Sequence, residues 1–348
     1  MKVALVGAGR IAEEHLRVLT RIGGLEIAVC DRSPVAAEFA AERFGLRRHG
    51  TDFAALLDEM RPDVVHVTTP VQAHVPLARQ ALAHGAHVLV EKPVAPTHAE
   101  WLGLRDAAAA AQRWLVEDQP YPFCPPVQRV LRLVESGEFG EIVHVDAMIS
   151  LEISGRGSAF ADPHAPHPSL AEPGGPISDF LTHLASLCRL FVGPHVKADV
   201  LWRKRASRTP GPFDELRAQI EARRGTASLA FSANAQPDVF AVRVFGTRMT
   251  ASLSLFEGTL ALQRRRPGAS ALTPLRNGLA AGWSDGAGAV RSLWAKLAGR
   301  PVVHDGLREL IARVYAALRQ GAPPPLGLDQ IDDVSRLVRD LTAGLASP

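Results

Sequence analysis

The stretch "KVALVGAGRIAEEHLRVLTRI", residues 2–22, decides the fold of the first part of the chain. Its apolar residues 3–6 form the short run that is typical of a fully buried parallel strand. A glycine turn follows, and further residues then recur at helical spacing on one face. The residues that share this face are Ile11, His15, Leu16, Leu19 and Ile22. A strand, a glycine turn and a helix in this order predict the opening of an α/β domain with a parallel sheet.

The glycine turn has the spacing G-x-G-x-x-A, with Gly7, Gly9 and Ala12 at the three fixed positions. Gly7 permits a tight turn, Gly9 lets a pyrophosphate approach the backbone, and Ala12 permits close packing of the helix on the strand. The first helical residues, Arg10 and Ile11, present unbonded N–H groups and the positive end of the helix dipole. The turn therefore predicts a dinucleotide-binding site.

Asp31 ends the second strand, 19 residues past Ala12, where such sites bind the ribose. A carboxylate at this position can bind both ribose hydroxyls and repels a 2′-phosphate, which favours NAD(H). Arg32 could instead contact a 2′-phosphate, so NADP(H) is the alternative cofactor.

The pattern of strands and helices divides the chain into two parts. Strands alternate with helices up to "RWLVED", which predicts a doubly wound parallel sheet of the Rossmann type over residues 1–121. Several short consecutive strands follow, and they predict an α+β domain over residues 122–348 with a large, mostly antiparallel open sheet. The last helix is expected to pack back on the first domain.

Composition excludes several classes of protein. The 39 basic and 36 acidic residues give a net charge of +3, which argues against nucleic-acid binding. The dense run Arg264–Arg266 is interpreted as a solvated strand edge. The three cysteines are far apart, and no apolar run is long enough to span a bilayer. The expected location is the cytoplasm.

A lysine follows a second apolar strand in "VLVEKPVAP", residues 88–96. Lys92 stands at the carboxyl end of this strand, which is the edge where open parallel sheets bind ligands. A lysine beside a nicotinamide could stabilise a developing alkoxide or relay a proton. Asp179 and His183 are four residues apart in "SDFLTHL", so they share one helical face, and the carboxylate could orient the imidazole.

These motifs together resemble one family, the glucose–fructose oxidoreductase, inositol dehydrogenase and rhizopine-catabolism (Gfo/Idh/MocA) oxidoreductases. The resemblance rests on "VVHVTTPVQAHVPLARQALAHGAHVLVEKPVA", "ESGEFGEIVHV" and "GGPISDFLTHL", and it covers nearly the whole chain. It implies that Lys92, Asp179 and His183 are catalytic, with His183 as proton donor or acceptor. It also implies a cis bond before Pro93. The further cofactor-binding residues that it implies are Thr69, Pro70, His74, Glu91 and Lys92.

The same resemblance implies a function. We expect an NAD(P)-dependent oxidoreductase that transfers hydride between the nicotinamide and a secondary alcohol or ketone of a sugar, cyclitol or sugar derivative. A catalytically silent cofactor-binding sensor of the same fold is the alternative. Relatives of this kind imply a homodimer or homotetramer that forms through the second sheet.

The chain departs from the family pattern around the substrate. After "WLVED" the chain reads "DQPYPFCPP", and Tyr121 is expected to take over a substrate-facing role. Leu181 and Ser186 replace a glycine and an aspartate that relatives often carry, which predicts a bulkier and less polar pocket.

The loop "FADPHAPHP" raises the question of a metal site, because Asp162, His164 and His167 could be joined by His183. The implied chemistry needs no metal, so we expect none, and we assign His164 to substrate binding instead.

Residues 268–304 read as an insertion. Its helical stripe of Val290, Leu293, Trp294 and Leu297 is expected to pack on its own domain or on a subunit. Arg291, Lys296 and Arg300 flank the stripe, so a helix on a membrane surface is the alternative.

Overall fold

The computed structural model describes residues 1–155, 158–162, 167–264 and 304–345, and separate positions between 275 and 298. The chain forms two compact units. Unit 1 contains Met1–Gln119 and Leu307–Arg336, and unit 2 contains Pro120–Gly306 and Leu337–Pro348. The boundary that the sequence suggests, between residues 121 and 122, stays a prediction.

Nine helices have bounds that the structure describes. They are α1 Arg10–Leu19, α2 Pro34–Phe44, α3 Phe53–Met60, α4 His74–Ala83, α5 His98–Ala111, α6 Pro125–Glu135, α7 Ser178–Val192, α8 Asp305–Gln320 and α9 Leu328–Thr342. Short 3₁₀ turns occur at Val71–Ala73, Tyr121–Phe123, Pro168–Ala171 and Gly175–Ile177.

Unit 1 contains a six-stranded parallel sheet in the order β3-β2-β1-β4-β5-β6. Its strands are β1 Lys2–Val6, β2 Glu26–Cys30, β3 Arg48–Gly50, β4 Val64–Val67, β5 His87–Val90 and β6 Leu115–Glu117. β1 lies between β2 and β4, with Val3 opposite both Ile27 and Val64. The side chains of β1 from Val3 to Leu5 are fully buried, which accounts for its continuous apolar sequence.

Local sequence also sets where the helices begin and end. Ser33 caps α2, where its hydroxyl accepts the N–H of Ala36, and Pro34 is the first helical residue. Gly45 ends the same helix in the left-handed conformation. The short strand β3 was not predicted, because Arg48–Gly50 has no apolar residue and pairs only at the edge of the sheet.

Unit 2 contains a seven-stranded sheet in the order β13-β12-β11-β7-β10-β9-β8. Its strands are β7 Ile142–Ser150, β8 His195–Arg203, β9 Glu215–Ala222, β10 Gly225–Ser232, β11 Val239–Gly246, β12 Met249–Ser254 and β13 Thr259–Arg264. β7 and β10 are parallel, and every other pair is antiparallel. Helix α7 packs against β7 and β10. The predicted fold class is therefore confirmed for both parts of the chain.

Two predictions about unit 2 have different outcomes. Arg264 ends the edge strand β13 and is exposed, as expected for a solvated edge, whereas residues 265–266 lie outside the described residues. The apolar stripe of residues 290–297 does not pack on its own domain, because all four of its side chains are more than half exposed. Packing on their own domain is therefore wrong for these four side chains, whereas packing on a subunit, the other part of the same expectation, stays a prediction.

Candidate active site

The glycine loop follows β1 at the carboxyl edge of the parallel sheet. Gly7 has φ +96°, and a Cβ there would lie 2.8 Å from the backbone of Thr68, so only glycine fits. Gly9 is different, because a Cβ there would meet no atom within 4 Å. Gly9 directly precedes α1, and no side chain caps that helix. The first N–H groups of α1 therefore border open space at the positive end of the helix dipole.

Asp31 lies next to this loop and makes backbone contacts with both carboxylate oxygens. Oδ2 accepts the N–H of Ala8 at 2.7 Å, and Oδ1 accepts the N–H of Ser33 at 2.8 Å. Arg32 beside it is exposed. The carboxylate is thus held at the carboxyl ends of β1 and β2, where the sequence predicts the ribose.

The turn after β4 carries a buried hydroxyl with no partner. Thr69 Oγ1 is buried and has no hydrogen bond, although buried polar atoms are nearly always satisfied. The neighbouring Thr68 hydroxyl differs, because it donates to the carbonyl of Gly7 at 2.7 Å. Pro70 is exposed. The uncapped helix, the space beside Gly9 and the unsatisfied hydroxyl of Thr69 all fit a bound dinucleotide.

His74 links two turns rather than facing solvent. Its Nε2 lies 2.7 Å from the carbonyl oxygen of Thr69, and its Nδ1 lies 2.8 Å from that of Pro93. Burial lowers the pKa of His74, although the two carbonyls oppose the shift. A neutral imidazole has one N–H, so it donates to one carbonyl at a time.

Lys92 lies in the turn after β5, and two buried carboxylates hold this turn. The N–H of Lys92 donates to Glu91 Oε2 at 3.3 Å, and the N–H of Val94 donates to Glu117 Oε1 at 2.8 Å. The Lys92–Pro93 bond is cis, as predicted. Lys92 is half-buried, whereas Glu91 and Glu117 are buried. The turn is therefore fixed on both sides of the lysine.

Glu91 belongs to a buried polar network that extends away from Lys92. His15 Nε2 lies 3.0 Å from Glu91 Oε1 and 3.4 Å from Asp118 Oδ2. His15 Nδ1 lies 2.8 Å from Nδ1 of His66, whose Nε2 lies 2.9 Å from the Tyr315 hydroxyl. Both histidines are fully buried.

Charge in this network is distributed unevenly. Burial lowers the pKa of His15, but the hydrogen bonds to Asp118 and Glu91 outweigh it and raise the pKa to about 9. Burial and the charge of His15 both lower the pKa of His66. Burial and the charge of Glu91 raise the pKa of Asp118 to about 7. Burial also acts to raise the pKa of Glu91. The hydrogen bond to His15 and the positive charge of His15 outweigh burial, so the pKa of Glu91 is lowered. The network is thus a His15 imidazolium paired with a Glu91 carboxylate.

The same three side chains have ligand atoms close enough to hold a metal ion. Among the residues that the structure describes, His15, Glu91 and Asp118 form the one such group, and their ligand atoms lie within 4.8 Å of one another. A protonated imidazole is not a metal ligand, and the hydrogen bond of His15 Nδ1 to His66 satisfies its other nitrogen. The hydrogen bonds and ion pairs among these side chains already account for their close approach.

The two remaining predicted catalytic residues, Asp179 and His183, lie in unit 2 together with Tyr121, which is predicted to face the substrate. The ring of Tyr121 packs edge-on against His183, with 4.7 Å between centroids, and against Phe240 at 4.6 Å. Burial, followed by the charges of Cys124 and Asp179, raises the pKa of Tyr121. His183 is buried on α7 one turn after the half-buried Asp179. Tyr121 and His183 are in contact, and the charge of Asp179 acts on Tyr121.

The structure describes only two of the three loop residues, Asp162 and His167. His164 lies outside the described residues. Asp162 is exposed, and His167 contacts Phe160 and bonds to Ser169 Oγ at 2.8 Å. No metal-ligand group containing Asp162, His167 or His183 forms in the described part of the chain.

Sequence reasoning did not assign roles to the residues behind Lys92. These residues are His15, His66, Glu117, Asp118 and Tyr315. A signal was present for two of them, because His15 and His66 occupy positions whose periodicity indicates burial, and a buried imidazole needs a partner. Nothing in the sequence identifies Tyr315 as that partner, since it lies 249 residues from His66.

Two sequence profiles match the chain. Residues 1–118 match the profile described as oxidoreductase family, NAD-binding Rossmann fold. Residues 127–252 match the GFO/IDH/MocA C-terminal domain.

Curated relatives match only part of the chain. D-glucoside 3-dehydrogenase from Escherichia coli (strain K12) is 33% identical over 144 residues, which is 41% of this chain and 41% of that protein. Levoglucosan dehydrogenase from Pseudarthrobacter phenanthrenivorans is 28% identical over 207 residues, 56% of this chain and 51% of that protein. The matches thus span about half or less of these relatives.

Solved structures match the whole chain at low identity. An oxidoreductase from Agrobacterium radiobacter in complex with NAD+, L-tartaric acid and magnesium has a TM-score of 0.77 at 20% identity, covering 99% of this chain and 97% of that one. A levoglucosan dehydrogenase in complex with NADH has a TM-score of 0.75 at 19% identity, covering 98% and 95%. These likenesses show the fold. With both domain profiles matched in order, the chain belongs to the Gfo/Idh/MocA oxidoreductase family.

Proposed function

We propose that the protein is an NAD(P)-dependent dehydrogenase. It would transfer hydride between the nicotinamide and a secondary alcohol or ketone of a sugar, cyclitol or sugar derivative. The observation that carries the proposal is the position of Lys92, at the carboxyl edge of the sheet, two strands from the glycine loop and in a turn that two buried carboxylates hold. The similar proteins named as dehydrogenases of D-glucosides and levoglucosan support the substrate class.

NAD(H) is the proposed cofactor, with NADP(H) as the alternative. Asp31 favours NAD(H) over NADP(H), because a carboxylate beside the glycine loop can accept hydrogen bonds from ribose hydroxyls and repels a 2′-phosphate. Asp31→Ala should weaken NADH binding at least tenfold and NADPH binding less, as measured by titration of nucleotide fluorescence. Asp58→Ala is the matched control, since Asp58 is exposed and pairs with His84. Unchanged NADH affinity in Asp31→Ala would reject the assignment.

Lys92 is proposed to bind the reacting oxygen. The bound nicotinamide supplies the hydride acceptor or donor. The Lys92 ammonium would stabilise negative charge that develops on the substrate oxygen during hydride transfer. The N–H groups of Lys92 and Val94 donate to Glu91 and Glu117, and these hydrogen bonds fix the backbone from which this side chain extends.

His183 is proposed to accept or donate the hydroxyl proton, and Asp179 to orient His183. Tyr121 supports the imidazole through its edge-on contact and is proposed to face the substrate. His164 stays a prediction as a substrate-binding residue.

The test is a screen of sugars, cyclitols and nucleotide-linked sugars with NAD+ and NADP+, read by absorbance of the reduced nucleotide. Lys92→Ala should abolish turnover of the best substrate and leave NADH affinity within a few-fold of the wild type. Lys197→Ala, which removes an exposed lysine on β8, is the control and should keep full activity. A fully active Lys92→Ala variant would refute the proposed role of this lysine. Binding of NADH without turnover of any substrate would favour the silent sensor.

We also propose a cytoplasmic location and a homodimer or homotetramer. All three cysteines are unpaired thiols, which suits a reducing compartment. No helix in the described part of the chain is long and apolar enough to cross a membrane. Leu201 is exposed on β8 in the second sheet, where the subunit contact is proposed. Light scattering coupled to size exclusion measures the assembly.

A further inference from the structure

The turn that carries Lys92 is surrounded by buried acidic side chains. Glu91 precedes Lys92 after β5, and Glu117 and Asp118 stand at the end of the neighbouring strand β6. Burial acts to raise the pKa values of Glu91 and Glu117, and the positive charge of Lys92 acts in the opposite direction, so the lysine lies close to both. An ammonium beside an ionised carboxylate pairs with it readily. Such a pair would divert Lys92 from the reacting oxygen.

Two of these three acidic groups avoid a full negative charge by keeping a proton. Burial raises the pKa of Glu117 to about 7. Burial and the charge of Glu91 raise the pKa of Asp118 to about 7 as well. Both groups are therefore mostly uncharged below pH 7. Glu91 differs from them, because its hydrogen bond to His15 outweighs burial and leaves it ionised.

Glu91 has a partner for each of its carboxylate oxygens. Oε1 lies 3.0 Å from His15 Nε2, and Oε2 accepts the main-chain N–H of Lys92 at 3.3 Å. Both oxygens thus have partners other than the ammonium of Lys92. The charge of Glu91 is balanced from the side of α1, which carries His15.

His66 helps to keep His15 positively charged. His15 Nδ1 lies 2.8 Å from His66 Nδ1, and His66 Nε2 lies 2.9 Å from the Tyr315 hydroxyl. Two imidazole nitrogens at this distance share one proton, so one ring donates and the other accepts. Burial lowers the pKa of His15, but its hydrogen bonds to carboxyl groups raise it to about 9, whereas burial and the charge of His15 lower the pKa of His66. His15 is therefore the donor, an imidazolium with a partner on each nitrogen.

We propose, on the basis of the proposed role of Lys92, that His15 is a positioning residue for this lysine. Its imidazolium neutralises the carboxylate of Glu91, so the ammonium of Lys92 remains available to the reacting oxygen. Without His15, Glu91 would be an uncompensated buried charge near Lys92. The ammonium would then be drawn to the carboxylate and would lose its proton only at a higher pH.

The experiment measures the ionisation of Lys92 directly, so it does not depend on turnover. The chain has five lysines, and reductive methylation with isotope-labelled formaldehyde makes them visible by NMR while it keeps their charge. The signal of Lys92 is the one that is missing in Lys92→Ala. In His15→Gln the midpoint of its titration should move up by about one pH unit or more. In the double variant His15→Gln with Glu91→Gln it should return to within about half a unit of the wild type, because the carboxylate is absent.

The matched control is His84→Gln. It removes the imidazole of a surface pair, in which His84 Nε2 lies 3.2 Å from Asp58 Oδ1, and should leave the titration of Lys92 unchanged. An unchanged midpoint in folded His15→Gln would overturn the proposal, and so would a raised midpoint in the double variant.

Circular dichroism shows which variants fold, and Glu91→Gln decides the question if His15→Gln does not. In Glu91→Gln the midpoint of Lys92 should stay within about half a unit of the wild type, because the carboxylate that it loses is already neutralised by His15. A fall of about one unit or more would show that Lys92 pairs with Glu91 in the wild type and would overturn the proposal.

Turnover separates the role of His15 from the proposed function. With the best substrate, kcat of His15→Gln should fall at least tenfold, and NADH affinity should stay within a few-fold of the wild type. The double variant should be at least threefold more active than His15→Gln, whereas a purely structural role would leave it no better. Wild-type kcat in His15→Gln would overturn the positioning role. If Lys92→Ala is fully active, or if no substrate is turned over, the proposed function is wrong, and the titration still tests whether His15 shields Lys92 from Glu91.

Discussion

His15 Nε2 lies 3.0 Å from Glu91 Oε1, and the other oxygen of this carboxylate accepts the N–H of Lys92. His15 belongs to α1, the helix that begins at the glycine loop. One buried ion pair therefore connects the two parts of the proposed cofactor site in unit 1. The pair holds the lysine turn to the helix that would bind the pyrophosphate.

Replacing His15 should destabilise the fold strongly. His15→Leu leaves Glu91 buried without its cation, and breaking a buried ion pair in this way costs about 3–5 kcal/mol. Urea unfolding, followed by circular dichroism, measures the loss. His84→Leu is the control, because His84 pairs with Asp58 at the surface and should cost about 1 kcal/mol or less. Equal stability of the two variants would contradict an imidazolium at position 15.

The titration of Glu117 should lower the free energy of unfolding as the pH rises. Burial raises its pKa from 4.5 to about 7. Between these two values the folded protein retains a proton that the unfolded chain has lost. The contribution of Glu117 to stability is therefore largest below pH 4.5 and decreases as the pH rises through about 7. The shift corresponds to roughly 3 kcal/mol.

Glu117→Gln removes this titration and keeps an oxygen for the N–H of Val94. Urea unfolding of both proteins at about pH 5 and about pH 8 measures the effect. The free energy of unfolding should decrease less for the variant than for the wild type. Asp118 also has a raised pKa, but it is present in both proteins, so the difference reports Glu117. Parallel pH dependences would show that Glu117 does not titrate in this range.

The sequence predicts the sheet of unit 1 because the residues that mark it lie close together along the chain. Gly7, Gly9 and Asp31 lie within one strand–helix–strand unit, and each has a role that its residue type dictates. Strand β3 was missed for the opposite reason. An edge strand of three polar or small residues has no periodic pattern, and only pairing with β2 makes it a strand.

The network behind Lys92 depends on contacts between distant parts of the chain. His66 lies in β4, Tyr315 in α8 and Glu91 at the end of β5, and no sequence spacing relates them. The apolar stripe of Val290, Leu293, Trp294 and Leu297 illustrates a different limit. Its periodicity predicts a helix with an apolar face, but periodicity does not show whether the chain itself covers that face.

The two glycines of the turn should respond differently to alanine. Gly7→Ala places a Cβ 2.8 Å from the Thr68 backbone at a φ of +96°, so we expect a loss of at least about 2 kcal/mol in stability. Gly9→Ala meets no atom within 4 Å and should cost about 1 kcal/mol or less. Its methyl group would instead occupy the space proposed for the pyrophosphate and weaken NADH binding at least tenfold. Urea unfolding and NADH titration of both variants separate these effects, and wild-type NADH affinity in Gly9→Ala would contradict the assignment.

Replacing His183 should impair proton transfer without impairing cofactor binding. His183→Gln keeps a polar side chain of similar reach but cannot exchange a proton, and the loss of a general acid or base lowers kcat by about 10²–10⁴-fold. A general acid or base works in only one protonation state, so the pH dependence of kcat in the wild type should show a limb that this imidazole supplies. That limb should be absent in the variant, a change that a purely structural role would not produce. His144→Gln, on β7, is the matched control and should retain the wild-type pH profile. An unchanged kcat and pH profile in His183→Gln would assign the proton to another group.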